Sequence, residues 1–179
     1  MKVFKTKLQD VLLIEPKVFR DPRGFFLETY NSRRYHGQGI DVPMVQDNRA
    51  FSSKGVLRGL HFQKNFPQDK LVWAPHGEVM DVALDLRKSS PTYGQWEAYH
   101  LTGENHLQAF IPVGFAHGYV VLSDTAEFAY KCSEFYHPED EGGVVWNDPD
   151  LAIDWGIADP IISEKDAKLP RMRDLDFSF

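Results

Sequence analysis

The chain has 179 residues, of which 42% are hydrophobic and 26% charged, the size and make-up of one globular domain spanning residues 1–179. Its formal net charge of −6, with no basic run, excludes an electrostatic nucleic-acid binder. The apolar run Val11–Ile14 near the N-terminus is too short for a signal-peptide core or a membrane span, and a single cysteine, Cys132, excludes an internal disulfide, so a soluble cytoplasmic protein is expected.

Short apolar or alternating runs recur along the chain between turn residues. In order they are VLLIEPKVF, GFFLETY, VLRGLHFQ, KLVWAP, GEVMDVALDL, WEAYHLT, HLQAFIPV, AHGYVVLSD and EFAYKCSEFYH. Breakers such as Asp21-Pro22-Arg23-Gly24 and Gly103-Glu104-Asn105 separate them. Many short strands with frequent turns predict an all-β sandwich or barrel. Aromatic residues at 13% agree with strands and with a cavity walled by rings. Helix signals are few. Asn31–Gln38 predicts a turn or two, and Ser163–Lys168 a short helix with Ser163 and Asp166 spaced as a capping box.

Period-two alternation orients the strands. In EFAYKCSEFYH it puts Phe128, Tyr130, Cys132, Glu134 and Tyr136 on one mostly aromatic, inward face. In VLRGLHFQ it sends Arg58 and His61 to opposite faces, so the two share a site only if the strand bulges at Gly59. Asp81 and Asp85 share a face of GEVMDVALDL. They read as a solvated strand face or as structural hydrogen-bond acceptors, with Asp81 also able to orient a histidine from within a barrel.

The chemistry-bearing motifs are mostly negative. Seven histidines form no HxH, HExxH or Cys/His cluster. There is no GxSxG, no GxGxxG after a strand and no P-loop. Gly55 with His61 resembles the start of the first cupin motif, but Gln63 stands where the metal-binding version carries its second histidine. Pro112–His117 resembles the PxGxxH of the second cupin motif. Neither a metal nor a cofactor is expected. What remains is acid–base chemistry. A histidine titrates near neutrality, a tyrosine stays protonated and donates, and a fixed cation steadies an enolate oxygen.

Several blocks in order carry a resemblance. They include "EPKVFRDPRGFFLETYN", "VQDNRAFSSKGVLRGLHFQ", "DKLV", "GEVMDVALDLRKSSPTYGQW", "IPVGFAHGYVVLSDTAEFAYKCSEFYHPEDEGG" and "ISEKDA". The chain resembles the dTDP-4-dehydrorhamnose 3,5-epimerases nearly end to end. That resemblance implies a cupin-type jelly-roll β-barrel with a few short peripheral helices. It implies cofactor-independent inversion of C3 and C5 of dTDP-4-dehydro-6-deoxy-D-glucose in dTDP-L-rhamnose biosynthesis. By matching position, His61 is the base, Asp166 its carboxylate partner, Lys70 the cation beside the C4 oxygen and Tyr130 the acid on the opposite face. Arg23, Glu28, Gln46, Asp47, Asn48, Arg58, His117, Glu141 and Lys165 match substrate-binding positions, and Phe26 and Tyr136 are candidates to stack on thymine. The family also implies a homodimer that exchanges N-terminal strands, with Arg23 and Glu28 completing the neighbour's site. Alternatives are an epimerase acting at C3 or C5 only, a 4-keto-sugar ketoisomerase, and a non-catalytic sugar-nucleotide-binding cupin.

Overall fold

The structure, a computed structural model, describes residues 1–179. Its strands are β1 (Lys2–Lys5), β2 (Leu12–Glu15), β3 (Val18–Asp21), β4 (Gly24–Leu27), β5 (Gln46–Ser53), β6 (Leu57–Gln63) and β7 (Lys70–His76). They continue as β8 (Glu78–Asp85), β9 (Trp96–Thr102), β10 (Gln108–Ile111), β11 (Phe115–Val121), β12 (Thr125–Cys132) and β13 (Glu141–Gly143). A six-stranded sheet runs β1-β2-β10-β7-β12-β5, a five-stranded sheet runs β13-β6-β11-β8-β9, and β3 and β4 form a separate hairpin. The two large sheets make a cupin-like jelly roll. Helix is confined to α1 (Ser32–Tyr35) and three single 3₁₀ turns.

The core lies between the sheets. Val72, Ala74, Ile111 and Phe128 of the first pack against Val79, Ala83, Leu101, Tyr119 and Val121 of the second. Both outer faces are covered in turn. Met80, Val82, Leu84 and Val120 sit under Trp146, Trp155, Phe177 and Phe179 of the C-terminal segment. Ile14, Leu71 and Phe110 sit under Tyr35 and Ile40. This double covering explains why β8 reads as a nearly continuous apolar run.

It also excludes the solvated reading of Asp81 and Asp85, since both are fully buried. Each is held by hydrogen bonds instead. Asp85 accepts from Arg87, Ser90 and Thr92, and Asp81 pairs with His117.

Strand boundaries differ from the sequence pattern in three places. VLLIEPKVF is cut at Pro16-Lys17 into β2 and β3, because proline has no N–H to give a ladder. EFAYKCSEFYH stops being a strand at Cys132, so Glu134 and Tyr136 belong to the following loop. β5 has no apolar alternation: Gln46, Asn48 and Ala50 face a cavity, while Asp47, Arg49 and Phe51 face outward.

The short helices fall where expected and are shorter. Asn31 caps α1 by accepting from the Arg33 N–H at 3.1 Å. Ser163 Oγ accepts from the Asp166 N–H at 3.1 Å, the first half of the expected capping box, ahead of a 3₁₀ turn at Asp166–Lys168. The Asp166 carboxylate turns elsewhere.

Candidate active site

A cavity of about 730 Å³ opens between the sheets. Gln46 and Asn48 reach it from β5, Arg58, His61 and Gln63 from β6, and Lys70 from β7. His117 and Tyr119 reach it from β11, and Phe128, Tyr130 and Cys132 from β12. Tyr136, Glu141, Ser163, Lys165 and Asp166 close one side.

β6 puts Arg58 and His61 in the same cavity by breaking its own alternation. On β11, His117 pairs with His61 and Tyr119 pairs with Arg58. Two steps along β11 therefore match three along β6, which is a bulge with one extra residue. Because His117 and Tyr119 share a face, so do their partners. Gly59 sits in the bulge at φ +118°, and a Cβ there would lie 2.6 Å from Gly118 Cα and 2.8 Å from the His117 carbonyl oxygen. Only glycine suits both that backbone angle and that approach.

His61 Nε2 lies 2.8 Å from Asp166 Oδ1. The second Asp166 oxygen accepts from the Gly59 N–H at 3.1 Å. Burial alone would raise the Asp166 pKa, but the bonds from His61 and Gly59 outweigh it and hold the carboxyl below its ordinary range. An ionised Asp166 only accepts, so His61 carries its proton on Nε2 and leaves the Nδ1 lone pair free. Glu141 Oε1 lies 3.6 Å from the same Nε2. An imidazolium at His61 would therefore face two carboxylates.

Glu141 is itself anchored. Its Oε2 accepts from Lys165 Nζ at 2.8 Å and from the Tyr136 hydroxyl. Burial opposes its ionisation, yet these bonds and the nearby His61 keep it below its ordinary value. The bond to Glu141, aided by burial, pushes Tyr136 up to about 12.

Lys70 lines the cavity without an ion-pair or hydrogen-bond partner, and burial lowers its pKa despite nearby negative groups. An unpartnered, half-buried cation favours an anion placed beside it. Burial pushes Tyr130 up to about 12, so its hydroxyl stays protonated near neutrality. His61 stands on the five-stranded sheet and Tyr130 on the six-stranded sheet, on opposite walls of the cavity.

Of the residues expected at a site, His61, Asp166, Lys70, Tyr130, Gln46, Asn48, Arg58, His117, Glu141, Lys165 and Tyr136 converge here. Asp47 does not. The pleat turns it outward, where Lys131 Nζ meets both carboxylate oxygens at 2.8 Å. Arg23, Phe26 and Glu28 do not reach this chain's cavity either, because the β3–β4 hairpin projects from the barrel. Arg23 pairs with Asp21, Glu28 with Arg34, and the Phe26 side chain is 69% exposed.

Two contributors are not apparent from the motifs. Gln63, at the position where the metal-binding cupin motif carries its second histidine, is buried. It donates to the Phe66 and Phe135 carbonyls and accepts from the His137 N–H, fixing the loop that carries Tyr136. Tyr119 presents a buried hydroxyl, hidden from the sequence because a tyrosine in an apolar run reads as core. No three His, Cys, Asp or Glu side chains gather in a metal-holding arrangement.

The dTDP-4-dehydrorhamnose 3,5-epimerase family model matches residues 5–174. The chain belongs to the dTDP-4-dehydrorhamnose 3,5-epimerase family. It is 53% identical over 178 residues to the dTDP-4-dehydrorhamnose 3,5-epimerase of Pseudomonas aeruginosa, covering 98% of each chain. Its fold superposes with TM-score 0.95 on the dTDP-6-deoxy-D-glucose-3,5-epimerase of Legionella pneumophila in complex with dTDP-4-keto-L-rhamnose, at 48% identity, covering 98% of this chain and 94% of that one. The Bacillus anthracis epimerase, solved with TDP and PPi bound, gives TM-score 0.93 at 45% identity, over 95% of this chain and 98% of that one. Within the epimerase family fold, the cavity between the sheets is where this chain gathers its acid–base groups.

Proposed function

We propose that this chain is a dTDP-4-dehydrorhamnose 3,5-epimerase, inverting C3 and C5 of dTDP-4-dehydro-6-deoxy-D-glucose to give dTDP-4-dehydro-L-rhamnose. The observation that carries the reading is the opposition of His61, paired with Asp166, to Tyr130 on the facing sheet, with the unpartnered Lys70 in the same cavity. Inversion needs a base on one face of the reacting carbon and an acid on the other.

The C4 carbonyl acidifies the protons at C3 and C5. His61 takes a proton through Nδ1 while Asp166 holds the ring and balances the imidazolium. Lys70 stabilises the enolate oxygen. Tyr130 returns a proton from the opposite side, and solvent exchange resets both groups for the second carbon. Lys165 supplies charge for the diphosphate, Arg58 charge both there and in the region of the C4 oxygen beside Lys70, Gln46, Asn48 and His117 polar contacts, and Tyr136 a ring for thymine. No cofactor takes part.

The protein acts as one cupin domain over residues 1–179, in the cytoplasm, as a homodimer exchanging N-terminal strands. No helix is long and apolar enough to cross a membrane. The hairpin supports the dimer: Phe19, Phe25 and Phe26 are at least half exposed there, and Arg23 and Glu28 lie outside their own cavity. In the dimer these residues complete the partner's site. Mixing Arg23→Ala with His61→Ala protein then restores part of the activity through hybrid dimers, and no recovery would count against shared sites.

The deciding experiment is turnover of the 4-keto sugar nucleotide in deuterated water, read by NMR. Deuterium at both C3 and C5 of an L-configured product is expected. Label at one carbon only would overturn the double epimerase in favour of a single-site enzyme.

A further inference from the structure

We propose that the Tyr119 hydroxyl is a specificity contact for the hexose of the sugar nucleotide, taking its hydrogen-bond partner from the bound sugar. The proposal rests on the sugar-nucleotide reading of the cavity.

Tyr119 lies in β11 on the same face as His117, and its side chain lines the cavity. It is only 5% exposed, and its hydroxyl is buried without a hydrogen-bond partner. Its strand neighbours are Arg58 on one side and Asp81 on the other. Neither makes a hydrogen bond with it, although Arg58 and Ser52 lie close enough to offset part of the rise that burial gives its pKa. Arg58 Nη2 donates to Ser52 Oγ at 3.3 Å, and Asp81 spends one oxygen on His117 while its other oxygen is also unpartnered.

The ring needs no hydroxyl to stay in place. It stacks on Phe128 with centroids 4.0 Å apart, a contact that phenylalanine would keep. A buried hydroxyl without a partner destabilises the free protein, so in stability alone phenylalanine is the better residue. What favours tyrosine is a partner that arrives with the ligand.

Position selects the hexose over the nucleotide. Phe128 joins Tyr119 to Tyr130, whose ring lies 5.9 Å from it, and to His117 at 6.0 Å. Tyr119 thus belongs to the inner wall that carries the proposed acid. Tyr136 and Lys165 are both half exposed and mark the opening, where the charged nucleotide sits.

The test compares Tyr119→Phe with wild type in three measurements: thermal midpoint, affinity for dTDP, and affinity for dTDP-glucose, which carries a hexose. The variant should melt at the wild-type temperature or above and bind dTDP as wild type does. It should bind dTDP-glucose about 3- to 10-fold more weakly, the worth of one neutral hydrogen bond. An unchanged dTDP-glucose affinity, or an equal loss for both ligands, overturns the proposal. So does a lowered midpoint matched by Ser52→Ala, which would place the partner inside the protein. A wild-type protein that binds neither ligand overturns the sugar-nucleotide reading as well, whereas a competent wild type matched by its variant overturns only the role of Tyr119.

Discussion

His61 Nε2 lies 2.8 Å from the carboxylate of Asp166, a residue 105 positions later in the chain. The same carboxylate holds the Gly59 N–H, so one acid orients the ring and braces the bulge that aims it. His61→Ala should abolish turnover while dTDP still binds. Asp166→Asn should lower kcat by on the order of 10²- to 10⁴-fold, because the amide offers the ring a competing donor. Steady-state kinetics beside dTDP titration checks both. Near wild-type kcat in His61→Ala would remove it from the role of base.

Tyr130 faces His61 from the other sheet and keeps its proton to about pH 12. Tyr130→Phe should cut L-configured product by on the order of 10²-fold or more. Exchange of deuterium at C3 and C5 should fall much less, because abstraction by His61 survives. NMR of one reaction mixture reads both rates, and equal losses would contradict an acid-only role.

Gly59→Ala should destabilise the fold by about 2–4 kcal/mol, since the added Cβ meets backbone and the positive φ disfavours it. The protein that still folds should lose activity, because Arg58 and His61 no longer share a face. Denaturant unfolding and kcat on the folded fraction test the two effects separately.

Asp85, fully buried, accepts from Arg87, Ser90 and Thr92 and lies outside the cavity. Asp85→Ala should cost about 2–4 kcal/mol by taking the buried acceptor from two hydroxyls and from a half-buried arginine, which keeps Asp10 and the Gln9 carbonyl. Activity per folded molecule should hold near wild type. A large fall in kcat at full folding would show that the site depends on it.

Asp85, Glu141 and Asp166 all sit below their ordinary pKa in the fold, because hydrogen bonds and cations outweigh burial. As pH falls, the unfolded chain therefore takes up protons first. Their stabilisation is complete above about pH 5 and is lost progressively below about pH 4. Thermal midpoints should be level on the neutral side of that window and fall on the acid side. Asp166→Asn should flatten part of that fall, and an acid limb unchanged by the substitution would exclude Asp166 as a contributor.

Sequence alone determined the strand-rich architecture, because short apolar runs between turn residues have few other ways to bury themselves. It also determined the inward face of β12, where alternation aligned Phe128, Tyr130 and Cys132, and the block pattern marked His61, Lys70, Tyr130 and Asp166 as one set. It left β5 unread, since a strand with a polar cavity face and a solvent face shows no apolar period. It placed Asp47 with its neighbours Gln46 and Asn48, although a pleated strand must send it the other way. Tertiary structure alone decided whether Arg58 and His61 meet. Alternation is a local rule, and it fails where the β6 and β11 backbones close in at Gly59 and Gly118, so that one extra residue turns both side chains into the cavity. It likewise decided between Asp81 and Asp166 as the partner of His61. Both acids pair with a cavity histidine, and only the packing of the C-terminal segment against β6 gives Asp166 to His61 and leaves Asp81 to His117.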